Sequence, residues 1–120
     1  MAIPSGYGTE VLKNASARGQ LNGGVTILNG EADHIYTILS VTMCNMNAGA
    51  ADTIEMAIWP SGASGNTTEI LRDQSIGAKE TFIWNDRLVL VGTDELYIKT
   101  ATAGDMDVWV SYIDLDWDNS

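Results

Sequence analysis

The sequence predicts an all-β chain: an antiparallel β-sandwich of jelly-roll or immunoglobulin-like type, entered by an extended N-terminal arm. Three observations predict it. Apolar and polar residues alternate with a period of two in run after run, and no stretch places apolar residues at i, i+3, i+4 and i+7. Thr, Ile and Val are frequent, and the four Trp and four Tyr fall inside the alternating runs. Clusters of Gly, Asn, Asp and Ser separate the runs at the spacing of sandwich strands.

Met1 to Gly24 is rich in Gly, Ser, Ala and Asn and has few large apolar residues. Residues 1–24 therefore read as an arm with one short strand, Glu10 to Lys13, and residues 25–120 as the sandwich domain. Val25 to Leu28 is a short strand. The turn Asn29-Gly30-Glu31-Ala32-Asp33 leads into the longest run, His34 to Asn45, which is apolar on both faces near its middle. It reads as a long central strand bent near Ser40. In Thr53 to Trp59, residues Ile54, Met56 and Ile58 share one face, and Glu55, Ala57 and Trp59 the other. Pro60 to Asn66 is a loop. Ile70 to Ser75 carries charges suited to an exposed edge. Thr81 to Trp84 and Leu88 to Val91 are short strands joined across Asn85-Asp86. Leu96 and Ile98 alternate with Glu95, Tyr97 and Lys99 in the next strand. The last strand runs from Val108 to Leu115. Val108, Val110 and Tyr112 fit one face and Trp109, Ile113 and Leu115 the other, a phase that predicts a bulge within it.

At 120 residues the chain is one domain. Six Lys and Arg against 16 Asp and Glu give a formal charge of −10, which excludes non-specific binding to nucleic acid and to anionic membranes. Met1 to Gly6 shows neither the basic nor the apolar region of a secretory signal. No apolar run approaches the roughly 20 residues of a membrane span, so the expectation is a soluble protein made in a cytoplasm. The single cysteine, Cys44, supplies neither an internal disulfide nor a thiolate metal cluster.

His34, the single histidine, stands at a strand entrance with no nucleophile motif around it, and it is expected to bond locally. No catalytic residue, cofactor or metal site is assigned. Asp114, Asp116 and Asp118 would share one face of a strand. That spacing suits a weak Ca²⁺ site, but a solvated acidic rim is the simpler reading. The tryptophans carry more information. Trp59 falls on the face opposite the apolar one, and Trp109 sits where the pattern is ambiguous; aromatic residues outside the core suit a contact surface.

The order of His34-Ile35-Tyr36-Thr37-Ile38, Ile54 to Gly62, Ile70 to Ile76, Gly92 to Leu96, Ala101 to Gly104 and Val108 to Ile113 resembles small β-sandwich proteins of tailed-phage virions. These include capsid decoration (cement) proteins and neck or tail appendage proteins. The start, Met1 to Leu12, is similar to such proteins of marine phages and cyanophages. The resemblance implies a non-enzymatic virion component made in the host bacterial cytoplasm. It would sit on the capsid exterior, often as a trimer, and bind the major capsid protein or other virion proteins. It implies no active-site residues. In such a role the partner-binding residues would be Ile3, Tyr7, Val11 and Leu12 of the arm, with Trp59 and Trp109 of the sandwich. The alternatives are a neck or tail appendage, or a binding module that reads host glycans through Trp59 and Trp109 on one flat patch.

Overall fold

The structure is a computed structural model that describes residues 9–116. Nine strands follow in order: β1 (Thr9–Ala17), β2 (Val25–Asn29), β3 (His34–Asn45), β4 (Asp52–Trp59), β5 (Thr68–Ile76), β6 (Thr81–Trp84), β7 (Leu88–Val91), β8 (Glu95–Thr100) and β9 (Met106–Asp116). Five form one sheet in the order β1-β9-β3-β6, with β7 beside β6 on the same side of β3; the other four form a second sheet, β2-β8-β4-β5. Every strand pairing is antiparallel.

The pairings nest. β4 pairs with β5, β3 with β6 and β7, β2 with β8, and β1 with β9. One long antiparallel ribbon, its tip at residues 60–67, is thus wrapped over itself into two packed sheets. That is a jelly roll, which decides between the two sandwich types the sequence left open.

Alternation builds the core. Ile38, Val41 and Met43 of β3, Ile54 and Met56 of β4, Leu90 of β7, Leu96 and Ile98 of β8 and Val110 of β9 are all fully buried between the sheets. Each such side chain contributes about 1.5–3 kcal/mol by leaving water.

Two sequence expectations change. β9 contains no bulge: Met106, Val108, Val110, Tyr112 and Asp114 are all buried, and the residues between them are not. The extra residue is Leu39 of β3, because Ile38 faces Tyr112 while Ser40 faces Ser111. β3 is apolar on both faces, so its own pattern did not fix its phase; the bulge returns Val41 and Met43 to the core and accounts for the bend near Ser40. The first strand is also longer than Glu10 to Lys13. β1 runs in unbroken register from Thr9 opposite Asp116 to Ala17 opposite Val108. Its alternation was hidden because both faces carry small residues, Asn14 and Ser16 on one and Ala15 and Ala17 on the other. Residues 9–17 are thus an edge strand of the chain's own sandwich, and residues 1–8 lie outside the described residues.

Buried polar side chains clamp the loops at one end. Asn45 is 1% exposed; its Nδ2 donates to the carbonyls of Ala50 and Ile76 at 3.1 and 3.0 Å, and its Oδ1 accepts from the Asn47 amide at 3.0 Å. Asp52 accepts from the Thr102 hydroxyl at 2.8 Å and the Thr102 amide at 3.2 Å, tying the start of β4 to the β8–β9 loop. Asn45→Ala removes the donor that two carbonyls share. Urea denaturation is expected to show a loss of about 1–3 kcal/mol, and an unchanged midpoint would contradict the clamp.

Candidate functional site

The two sheets turn very different faces outward. On the five-stranded sheet, register places outward residues in rows across the strands. Leu12, Ile113, Thr37 and Val89 form one row; Ser16, Trp109, Thr42 and Ile83 form another. Glu10, Leu115, Ile35 and Val91 flank the first. Leu12 is 72% exposed, Ile83 and Val89 57% each, and Trp109 50%. Among all outward positions on these strands, only Glu10 and Asp107 carry a charge. Beside Trp109 the surface sinks into an open hollow of about 550 Å³, lined by Ser16, Ala17, Thr42, Cys44 and Val108 with Arg18 and Asp107. The large apolar residues form two stripes. One lies on β1 and β9 beside the hollow; the other, Ile83, Val89 and Val91, lies on β6 and β7. Thr37, Ser40 and Thr42 of β3 lie between them, and Ile35 joins them at one end, between Leu115 and Val91.

The outward face of the four-stranded sheet is polar and charged. Glu55 lies opposite Lys99, and Ala57 lies between Tyr97 and Glu69. Arg72 pairs with Glu69 at 3.2 Å. A hydrogen bond to Glu69, together with burial, raises the Glu55 pKa. Trp59 stacks on Tyr97 with ring centroids 4.3 Å apart and planes 21° apart. The Tyr97 hydroxyl occupies the place where a Cβ on Gly24 would stand, so the glycine, at φ +83°, lets this stack lie against the sheet.

One end of the sandwich holds the only histidine. Asp114, 5% exposed, accepts from Lys13 Nζ at 2.8 Å and from His34 Nδ1 at 2.6 Å. His34 Nε2 lies 3.5 Å from Glu31 and 3.7 Å from Asp116. The ring stacks on Tyr36 with centroids 5.7 Å apart, and the Tyr36 hydroxyl accepts from the Glu31 amide at 2.9 Å. His34 therefore does not bond only locally; it ties β3 to β9 across 80 residues of chain. Nor is Asp114 part of a solvated acidic rim. Its two oxygens are taken by Lys13 and His34, so Asp114 is not free to join the Ca²⁺ set considered from sequence, of which Asp118 lies outside the described residues. Both ring nitrogens face carboxylates, Nδ1 toward Asp114 and Nε2 toward Glu31 and Asp116, a setting that favours the cationic form of the ring.

The sequence-predicted contact residues are dispersed. Val11, 43% exposed, and Leu12 lie on opposite faces of β1. Trp109 lies on the apolar outer face, Trp59 on the outer face of the other sheet, so the two tryptophans share no patch. Ile3 and Tyr7 lie outside the described residues. Ile83 and Val89 were missed because their strands are only four residues long. In so short a run, alternation does not show which of two apolar faces is buried.

No protein family and no curated sequence matches the chain. Solved structures are similar to it, three of them over nine-tenths or more of the chain's length at TM-scores of 0.55 or above. One is a chain of the acidic stable capsid structure of Helicobacter pylori bacteriophage KHP30, with a TM-score of 0.56 over 90% of this chain and 92% of that one, at 10% identity. Another is a Bacillus endospore appendage, described as forming a novel family of disulfide-linked pili: TM-score 0.55 over 98% and 97%, at 12% identity. The third is infectious bursal disease virus of the Gx strain, with a TM-score of 0.55 over 93% of this chain, at 13% identity; the chain spans 34% of that protein. Likeness at such identities defines a class by fold: this is a single jelly-roll domain.

The Lys13–Asp114–His34 cluster makes stability depend on pH. Burial works to raise the Asp114 pKa, but the hydrogen bonds from Lys13 and His34 outweigh it and hold the carboxyl below its ordinary value. The hydrogen bond to Asp114, helped by Asp116 and Glu31, raises the His34 pKa against the opposing effect of burial. A lowered carboxyl stabilises above its unfolded pKa and loses that contribution as pH falls through its folded one. A raised histidine stabilises below its unfolded pKa and loses it as pH rises through its folded one. Both contributions are complete between about pH 4 and 6.5. Thermal melts should show the wild type exceeding Asp114→Asn by most in that window and by less above it; a difference constant with pH would contradict the cluster's role.

Proposed function

We propose that the chain is a structural protein of a phage virion, of the capsid decoration type. It binds between major capsid protein subunits on the outside of the shell and stabilises them as a homo-oligomer, with three copies as the resemblance implies. The observation that carries this reading is the division of the surface: a nearly uncharged apolar face on one sheet and a charged face on the other. Contiguous exposed apolar surface marks an interaction site, and a rigid sandwich bearing it is suited to assembly. Support comes from the KHP30 capsid chain, which shares the fold over nearly its whole length. The net charge of −10 keeps copies soluble before they reach the particle. The commitment of His34 to carboxylates favours a non-enzymatic role.

In this reading the segment before β1 reaches neighbouring virion subunits. Eight extended residues span about 26 Å. Ile3 and Tyr7 would be its anchors, continued by Val11 and Leu12 on β1. A virion appendage is the second reading, favoured by the likeness to the endospore appendage over almost the full chain. Glycan recognition is weakened by the placement of Trp59 and Trp109 on opposite sheets.

Deleting Met1 to Gly8 tests the anchoring. The truncated chain is expected to keep its circular dichroism spectrum and melting temperature but to lose binding to phage particles in co-sedimentation. Undiminished occupancy would count against the anchor, and so would collapse of the isolated domain.

A further inference from the structure

Two stripes of the apolar face differ in shape, and that difference names what covers them. The β6–β7 stripe presents branched side chains that stand clear of the sheet, Ile83 and Val89, each 57% exposed. The β1–β9 stripe presents the hollow of about 550 Å³ beside Trp109. This volume lies in the range that receives a small-molecule-sized group, so it accommodates such side chains. One stripe is the projection and the other the recess, and both are carried by the same chain.

We propose that a second copy of this chain covers the face, with Ile83 of one copy seated in the hollow beside Trp109 of the other and Val89 against its Leu12 and Ile113. The inference deepens the oligomer part of the reading above and does not need the virion part. Charge supports a like partner. Each copy carries −10, yet the outward strand positions of this face carry only Glu10 and Asp107, and Arg18 at the rim of the hollow offsets one of them, so two copies approach with least repulsion here. Area supports it as well. The strands of 9, 11, 12, 4 and 4 residues, at about 3.3 Å per residue and about 4.8 Å between strands, present roughly 630 Å² of flat surface, near the lower end of what specific interfaces cover. A stable interface covers about 800 Å² on each partner. A half-exposed tryptophan at the edge of a recess rimmed by Arg18 and Asp107 supplies the residue types in which interface binding energy concentrates. The contact pairs unlike stripes. It therefore serves two copies related by a two-fold axis along β3 or three copies in a ring.

Sedimentation of the purified full-length chain tests the inference apart from any particle. The wild type is expected to sediment as two or three copies, and more completely as added salt screens the net charge. Ile83→Glu and Trp109→Lys are each expected to sediment as monomers, with circular dichroism unchanged because both sites are exposed. Val89→Lys serves as a second variant of the projecting stripe should Ile83→Glu disturb the fold. A mixture of the Ile83→Glu and Trp109→Lys proteins is expected to regain pairs, since one keeps its recess, the other keeps its projection, and the two altered residues meet as opposite charges. A monomeric wild type, variants that assemble like it, or a mixture that stays monomeric would each overturn the proposal. None of these results bears on whether the chain is carried by a virion; particle binding without self-association would leave the virion reading standing.

Discussion

Slipping β9 by one residue against β3 would turn Val108, Val110 and Tyr112 out of the core and bring Trp109 in. The rest of the structure depends on that register. β9 is the strand between β1 and β3, so its inward residues close the core, its outward residues supply the exposed face, and both neighbours take their phase from it. Several contacts hold it. At one end Asp114 receives Lys13 from β1 and His34 from β3. At the other, Met106 and Gly19 exchange main-chain hydrogen bonds at 3.0 and 3.1 Å, and the Met46 amide donates to the Asp105 carbonyl at 2.8 Å. Between them the extra residue Leu39 lets β3 follow β9 on both sides of the bulge. The one buried carboxylate of β9 thus does for the sheet what alternation alone leaves open: it fixes which residue of β1 and of β3 stands beside it.

How much of this the sequence revealed depended on how clean the alternation was. β4 and β8 each have one apolar face and one polar face, and their inward residues were identifiable residue by residue. β6 and β7 were placed to the residue by their flanking turns, yet their faces were not, since Thr81 to Trp84 and Leu88 to Val91 are apolar on both sides. β3 was located in full, but its phase was not, for the same reason. β1 was recognised only in part, because small residues give alternation nothing to show. The candidate face was legible only at Leu12 and Trp109. Its other half, Ile83 and Val89, needed the topology that sets β6 and β7 beside β3. His34 and Asp114 are 80 residues apart, and a pairing of that kind leaves no periodic trace.

The division of the surface follows from the same register. In a two-sheet sandwich each strand turns one side outward, and solvent-facing positions are usually polar. The four-stranded sheet obeys this, with Glu55, Glu69, Arg72 and Lys99 on its outer side. The five-stranded sheet does not: side chains as large as Leu12, Ile83, Val89 and Trp109 stand exposed on it. Exposure of that much apolar surface opposes solubility unless something covers it, and the net charge elsewhere on the chain offsets that tendency in the separate copy. An asymmetric sandwich of this kind has a side to be covered and a side to be shown, which is what a repeated structural subunit requires.

Hydroxyl-radical footprinting of the tryptophans tests this central claim most directly, comparing the purified chain at high concentration with the same chain diluted. The account predicts that Trp109 is protected at high concentration while Trp59, on the other sheet, is modified at the same rate in both. Equal modification of Trp109 in both samples, or protection of Trp59 in its place, would contradict it.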